Sequence, residues 1–277
     1  MEKAVEETLK PFKDLINTGN KWIKEKEKKK QIKDVFIKSK DDLKLHAMFI
    51  ENSENKGIFI EIPGYRSTPM RDLYPSCYEY YDMGYSLLLI DNRSSGSSEG
   101  KYITFGVKES EDLIRWIKYI NKKYPDLNII LGGVSMGAST IMMSMNRIKD
   151  DMNVKKIIVD CGYISAYEEV KYCIKHYFHI PSFPFIKMVN IWCKLIAKFD
   201  LEEKNTIRSM RKSNIPVLFI HGEEDDFVPT YNSKVNYKNY NGPKKLLLFK
   251  KASHGISYLV EPDKYIEAVK DFVNKGE

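Results

Sequence analysis

Residues 128–143 read NIILGGVSMGASTIMM, an apolar run of strand type that passes through Gly-x-Ser-x-Gly directly into a helix-forming segment. A chain that does this must turn sharply at the serine, and the flanking glycines permit it. Gly133 and Gly137 lack a Cβ, so a strained strand-to-helix turn can press against its neighbours and leave the Ser135 hydroxyl exposed at the end of a sheet. Ser135 is therefore the candidate nucleophile. The stretch also places a strand and a helix in sequence, which sets the pattern to look for elsewhere.

That pattern recurs. Val35–Ser39 and Leu43–Ile50 alternate as an antiparallel hairpin around the turn formers Lys40, Asp41 and Asp42. Residues 57–62, 86–91, 154–160, 215–220 and 244–249 are apolar runs of buried-strand type. Between them lie helical patterns at 69–83, at 107–123 around Trp116, near 230–240, and over 262–274. Strands alternating with helices predict an α/β fold, a mainly parallel sheet with helices on both faces. From Gly162 to about Asn214 the alternation stops in favour of an aromatic, Met- and Lys-containing stretch with a Pro-rich break at 179–185. This reads as a helical cap inserted between strands. The expected organisation is an N-terminal helical segment over 1–30, a core formed by 31–162 and 215–277, and the cap over 163–214.

The N-terminal segment carries Val5, Leu9, Phe12 and Ile16 on one helical face, and Pro11 starts or kinks the helix. Its expected place is packed on the domain; the alternative is a weak contact with a membrane surface. The net charge of +7 is concentrated there, since residues 1–40 hold 12 Lys against 7 Asp/Glu. A basic tail without a recognition motif argues against nucleic acid as a partner. With 43% hydrophobic residues, the 277-residue chain can bury a large single core. Cys77, Cys161, Cys173 and Cys193 have no metal-type spacing, so no metal and no disulfide framework is expected, and Cys161 is expected in the core. An acidic start at Met1–Glu7 and the lack of an apolar run of about 18 residues give a cytoplasmic location as the expectation.

A serine hydroxyl needs a base to accept its proton and a carboxylate to orient that base. Of the five histidines, His46 precedes the elbow, His176 and His179 fall in the cap as surface residues, and His221 ends a strand. His254, in a loop after the last strand, is the expected general base. The acid is expected in the turn that follows the 215–220 strand, where Glu223, Glu224, Asp225 and Asp226 compete.

These motifs together resemble those of the α/β-hydrolases, in the bacterial group of carboxylesterases and serine aminopeptidase-like hydrolases. The resemblance covers roughly residues 33–275. It rests on Gly133-Val-Ser-Met-Gly137, on Asp91-x-Arg93-x-x-Gly96-x-Ser98, on His221-Gly-x-x-Asp225-x-x-Val-Pro229 and on Ala252-Ser-His254-Gly255. It implies an eight-stranded sheet and gives the acid role to Asp225. It also implies an oxyanion hole from the backbone N–H groups of Tyr65 and Met136, although Pro63-Gly64-Tyr65 stands where the family often has His-Gly, and Ser94 where it has Gly. Arg93 is expected to brace its loop by a salt bridge.

The implied activity is hydrolysis of a small-molecule carboxylic ester without a cofactor. The alternatives are an exopeptidase with the same triad and a non-catalytic binding module. A peptidase would hold a substrate ammonium with carboxylates, and Glu168 and Glu169 are the available pair. Adjacent helix positions point about 100° apart, so both are expected on a solvated face.

Overall fold

The computed structural model describes residues 9–274. Residues 1–8, which include Val5 of the expected N-terminal helix, lie outside the described residues. A short 3₁₀ turn over Lys10–Phe12, with Pro11 in its first positions, leads into α1 (Lys13–Lys28). Then come β1 (Ile32–Lys38), β2 (Lys44–Ile50), β3 (Ile58–Ile62), α2 (Pro69–Asp72), α3 (Tyr74–Asp82), β4 (Ser86–Ile90) and α4 (Glu109–Lys123). The chain continues through β5 (Ile129–Val134), α5 (Met136–Ser144), β6 (Val154–Asp160), α6 (Ala166–Tyr177), α7 (Ser182–Trp192) and α8 (Thr206–Met210). It closes with β7 (Val217–Gly222), α9 (Tyr231–Asn239), β8 (Lys244–Phe249), α10 (Ser257–Val260) and α11 (Pro262–Asn274).

The strands form one eight-stranded sheet in the order β1-β2-β4-β3-β5-β6-β7-β8. β2 runs antiparallel to both its neighbours, and every pairing from β4 through β8 is parallel. In the β1–β2 turn, Asp42 takes φ +64°, which Asp tolerates, and the Ser39 hydroxyl accepts the Leu43 N–H at 2.9 Å.

Parallel strands covered on both faces must be apolar along their whole length, and the strand alternation divides them between two cores. Ile58, Ile60 and Ile62 of β3 point to one face, where Trp116 and Ile117 of α4 and Ile141 of α5 cover them. Phe59 points to the other face, among Tyr80 of α3, Ile130 of β5 and Val269 of α11. Trp116 is fully buried; truncating such a side chain costs about 3–5 kcal/mol. The apolar side of α1 joins the second core through Ile23, Ile16 and Trp22, whose ring meets Tyr81 edge-on at 5.2 Å. The helix expected over 69–83 is instead two helices broken at Leu73, because Pro75 starts a new first turn and cannot continue the old one.

One acid interrupts the second core. Glu61 of β3 is 5% exposed, its Oε1 has no hydrogen-bond partner among the described residues, and it pairs in register with Gly132 of β5. A Cβ on Gly132 would stand 1.9 Å from that oxygen, so the glycine makes room for the carboxyl. Burial pushes Glu61 up to about 8.

Between β6 and β7 the segment is helical. α6 and α7 pack on each other around Ile174, Ile186 and Phe199, with Val107 beneath them. A single π turn over Cys193–Ala197 follows α7. Among the described residues no helix is long and apolar enough to cross a membrane.

Candidate active site

The C-terminal ends of the parallel strands bring the site together. β5 ends at Val134, and Ser135 takes φ +55° and ψ −115°, a left-handed conformation that a side chain adopts only under constraint. The constraint comes from both sides. The Ser135 N–H is tied to the Asp160 carbonyl of β6 at 2.8 Å, and its own carbonyl accepts the Ser139 N–H of α5. The turn fits because of its glycines: a Cβ on Gly137 would lie 2.1 Å from the Ile62 carbonyl, and one on Gly133 would lie 2.7 Å from the Gly137 backbone.

Ser135 Oγ lies 2.9 Å from His254 Nε2, and His254 Nδ1 lies 2.8 Å from Asp225 Oδ2. The three residues singled out in the sequence therefore stand in one hydrogen-bonded line. His254 comes from the loop after β8 and Asp225 from the turn after β7. Of the four acids in that turn, Asp225 is buried, while Glu223, Glu224 and Asp226 are exposed. The turn's own backbone decides this, since Asp225 Oδ1 accepts the N–H groups of Phe227 at 3.0 Å and Val228 at 2.8 Å. The Asp226 carbonyl instead accepts the Tyr172 and Tyr177 hydroxyls from α6.

The electrostatics suit a charged acid beside a basic imidazole. Burial alone would raise the Asp225 carboxyl, but hydrogen bonds and charge from His221 and His254 outweigh it and hold the group at about 2. For His254 burial works downward, and the Asp225 hydrogen bond and charge, helped by Glu169 and Asp160, raise it above the ordinary 6.5. The Phe227 ring packs on the imidazole at 4.9 Å between centroids.

Two further residues support the site, and the sequence motifs assign neither of them a role there. His221, near the end of β7, places Nε2 3.1 Å from Asp225 Oδ2 and 2.8 Å from the Val228 carbonyl, while Nδ1 meets the Ser233 hydroxyl at 2.7 Å. It braces the acid from below. Asp160, at the end of β6, is buried, accepts from Ser257 Oγ at 3.3 Å, and is pushed up to about 6 by burial. Their position at the same sheet edge as the elbow was the available signal.

Glu169 corrects an expectation. Glu168 is exposed and pairs with Lys171 at 3.4 Å, as a solvated helix face should. Glu169, one position round α6, is 6% exposed, touches Cys173 Sγ at 3.6 Å, and is pushed up to about 7 chiefly by burial. The 100° between neighbours does separate them, but it turns one of them into the site. Among the described residues no Lys or Arg pairs with Glu169. The hydroxyl of Tyr163, kept protonated chiefly by burial and further by the Glu169 charge, has no hydrogen-bond partner among the described residues.

Tyr65 follows Gly64, whose N–H donates to Asp72 Oδ2 at 2.7 Å. Among the described residues the N–H groups of Tyr65 and Met136 have no protein acceptor, and Met136 stands at the first position of α5, where helical N–H groups are orphaned. The Tyr65 ring stacks on Phe105 at 5.1 Å, and both pack with Met136, Tyr163 and Val228. Both also line a cleft of about 510 Å³ bounded on its far side by Val189, Trp192 and Ile196.

Cys161 offers a donor atom within 4.8 Å of those of Asp225 and His254. Burial and the neighbouring Asp160 and Asp225 raise its thiol well above the ordinary value, so it stays protonated. Arg93 braces its loop as expected, forking onto Asp112 at 2.7 and 2.8 Å and onto Asp41 at 3.0 and 3.1 Å. His176 and His179 are exposed.

No protein-family model matches the chain. An uncharacterized protein of Bacillus subtilis (strain 168), YqkD, is 28% identical over 196 residues, which are 70% of this chain and 64% of that protein, less than two thirds of its length. Among solved structures the chain is similar to the Pyrococcus furiosus esterase Pf2001, with a TM-score of 0.71 and 23% identity over 88% of this chain and 92% of that one. The esterase EaEST from Exiguobacterium antarcticum aligns at a TM-score of 0.65 and 17% identity, over 88% of this chain and 100% of that one. Mouse alpha/beta hydrolase domain-containing protein 10 aligns at 0.65 and 18%, again over 88% and 100%. The sheet order, the elbow and these likenesses agree: the chain has the α/β-hydrolase fold.

Proposed function

We propose that this protein is a serine hydrolase that cleaves carboxylic esters through an acyl-enzyme. The observation that carries the reading is the line from Ser135 Oγ to His254 Nε2 and from His254 Nδ1 to Asp225 Oδ2, at 2.9 and 2.8 Å. His254 Nε2 takes the hydroxyl proton as Ser135 Oγ bonds to the ester carbonyl carbon, and Asp225 holds the imidazolium that results. The carbonyl oxygen becomes an oxyanion facing the N–H groups of Tyr65 and Met136, the latter aided by the positive end of α5. Collapse breaks the carbon–oxygen bond to the alcohol, which leaves with the proton from His254. Water then repeats the sequence on the acyl-serine, losing its proton to His254 and releasing the carboxylic acid.

The helices between β6 and β7 act in this reading as a cap whose apolar residues, with Tyr65 and Phe105, hold the acyl group. The test is hydrolysis of nitrophenyl esters of graded acyl length. Wild-type turnover that falls by about 10⁵–10⁶-fold in Ser135→Ala supports the reading; equal turnover by the two proteins overturns it.

One observation favours a second reading. Glu169 is a buried carboxyl that interacts electrostatically with His254 and has no Lys or Arg partner among the described residues, and a substrate ammonium would supply one. An exopeptidase on the same triad would then cleave aminoacyl anilides better than matched esters, and would lose that preference in Glu169→Gln. Anilide turnover below that of the esters decides for the esterase.

A further inference from the structure

The segment from Phe178 to Ile196 exposes a run of large apolar side chains that nothing among the described residues covers. Phe178 is 70% exposed, Phe183 66%, Leu195 61% and Trp192 60%, and Met188 and Ile191 are exposed as well. They are organised. On α7 and the π turn that follows, Phe185, Met188, Ile191, Trp192 and Leu195 recur every three or four residues and form one outward stripe. The opposite side of α7 is committed to the protein: Ile186 and Asn190 are buried, and Asn190 bonds the Asp200 carboxylate and the Leu201 N–H, both at 2.9 Å.

The charge around the stripe has one sign. Between Glu169 and Asp200 the sequence holds Lys171, Lys175, Lys187, Lys194 and Lys198, and no Asp or Glu. Lys171 and Lys194 pair with flanking acids, but Lys175, Lys187 and Lys198 are exposed and have no acidic partner among the described residues. Soluble monomers rarely leave so large an apolar patch in water. An apolar stripe with aromatic rings, flanked by lysines of which Lys187 stands 5.2 Å over the Phe183 ring, has the composition of a surface that rests in a lipid head-group region. A second copy of the chain is the poorer fit. Two-fold pairing would set these lysines against their own counterparts, with no acid on the patch to offset them.

We propose that this face docks on a bilayer bearing anionic lipid, with the apolar stripe in the head-group region and the lysines on the lipid phosphates. The apolar side of α1 packs on the core through Ile23 and Trp22, which leaves the stripe on α7 as the uncovered apolar face among the described residues. Trp192 of the stripe and Ile196 next to it also line the cleft that reaches Tyr65 and Phe105, so the cleft opens at the docking face.

Vesicle binding is read without turnover, so the test stands apart from the hydrolase reading and includes Ser135→Ala as a control. The full-length protein is sedimented with phosphatidylcholine vesicles with and without phosphatidylglycerol. Binding to the anionic vesicles that weakens with salt is expected. Met188→Glu/Leu195→Glu, at two exposed positions, should weaken it by at least about 10-fold, and Lys187→Glu/Lys198→Glu should abolish the anionic preference. Lys24→Glu/Lys28→Glu on α1 should leave binding unchanged. A second readout needs no disruptive change: brominated lipid should quench the wild-type fluorescence, and Trp192→Phe should remove the quenching. Equal binding by wild type and the cap variants, or binding lost only in the α1 variant, overturns the proposal. So does a concentration-dependent dimer that Met188→Glu/Leu195→Glu dissolves in a protein that does not bind vesicles.

Discussion

Replacing Glu61 by Gln keeps the shape of the side chain and removes its titration. In the folded protein burial holds this carboxyl at about 8 against an ordinary value of 4.5. The unfolded chain ionises near 4.5, so between the two values the folded state binds the extra proton. Stability contributed by that proton is complete below about 4.5 and is lost as pH rises toward 8. With 1.36 kcal/mol per pH unit, the wild type should lose about 3–4 kcal/mol of stability to this one group between pH ~5 and pH ~8. Glu61→Gln should not. The assay is urea unfolding of both proteins across that range, followed by far-UV circular dichroism, with the difference between them plotted against pH. All other titrations cancel in the difference, which should be small at the acid end and favour the variant by the stated amount at the alkaline end. A difference that is flat with pH would show that Glu61 is ionised in the fold and has a partner there, which its unpaired Oε1 contradicts.

Asp225→Asn should lower kcat by about 10⁴-fold with the fold intact, because an amide supports the wrong histidine tautomer, whereas the exposed Asp226→Asn should change it little; steady-state ester kinetics give the ranking, and the reverse ranking would move the acid by one residue. Since His254 must be neutral to accept the serine proton and its value is raised by Asp225, the acid limb of kcat/KM should fall above pH 6.5, with activity rising through it. Glu169 adds to that rise, so Glu169→Gln should shift the limb to lower pH, and an unmoved limb would place the carboxyl out of electrostatic reach of the imidazole.

How far the sequence could be read follows from where each constraint is written. The elbow was legible because a close backbone approach leaves no room for Cβ, and the chain records this as Gly133 and Gly137 around Ser135. His254 was legible because chain order left one histidine after the last strand. Asp225 needed the family pattern, since its selection over three neighbouring acids depends on the N–H groups of Phe227 and Val228, a property of a folded turn. Glu169 was misread for a related reason: a helix pattern places neighbours 100° apart, but which side meets the site depends on how α6 docks. Glu61 is a single acid within the apolar run of β3, and only its register with Gly132 explains how the sheet accommodates it. The break at Leu73 did have a signal, in Pro75.

Ester hydrolysis by this protein requires Ser135 to be an activated nucleophile. The direct measurement is reaction of the folded protein with a fluorophosphonate, followed by proteolysis and mass spectrometry of the adduct. One adduct per chain is expected, on the peptide that contains Ser135, absent from Ser135→Ala and formed far more slowly in His254→Ala. Labelling that persists in Ser135→Ala, or a folded wild type that does not react, would contradict the assignment.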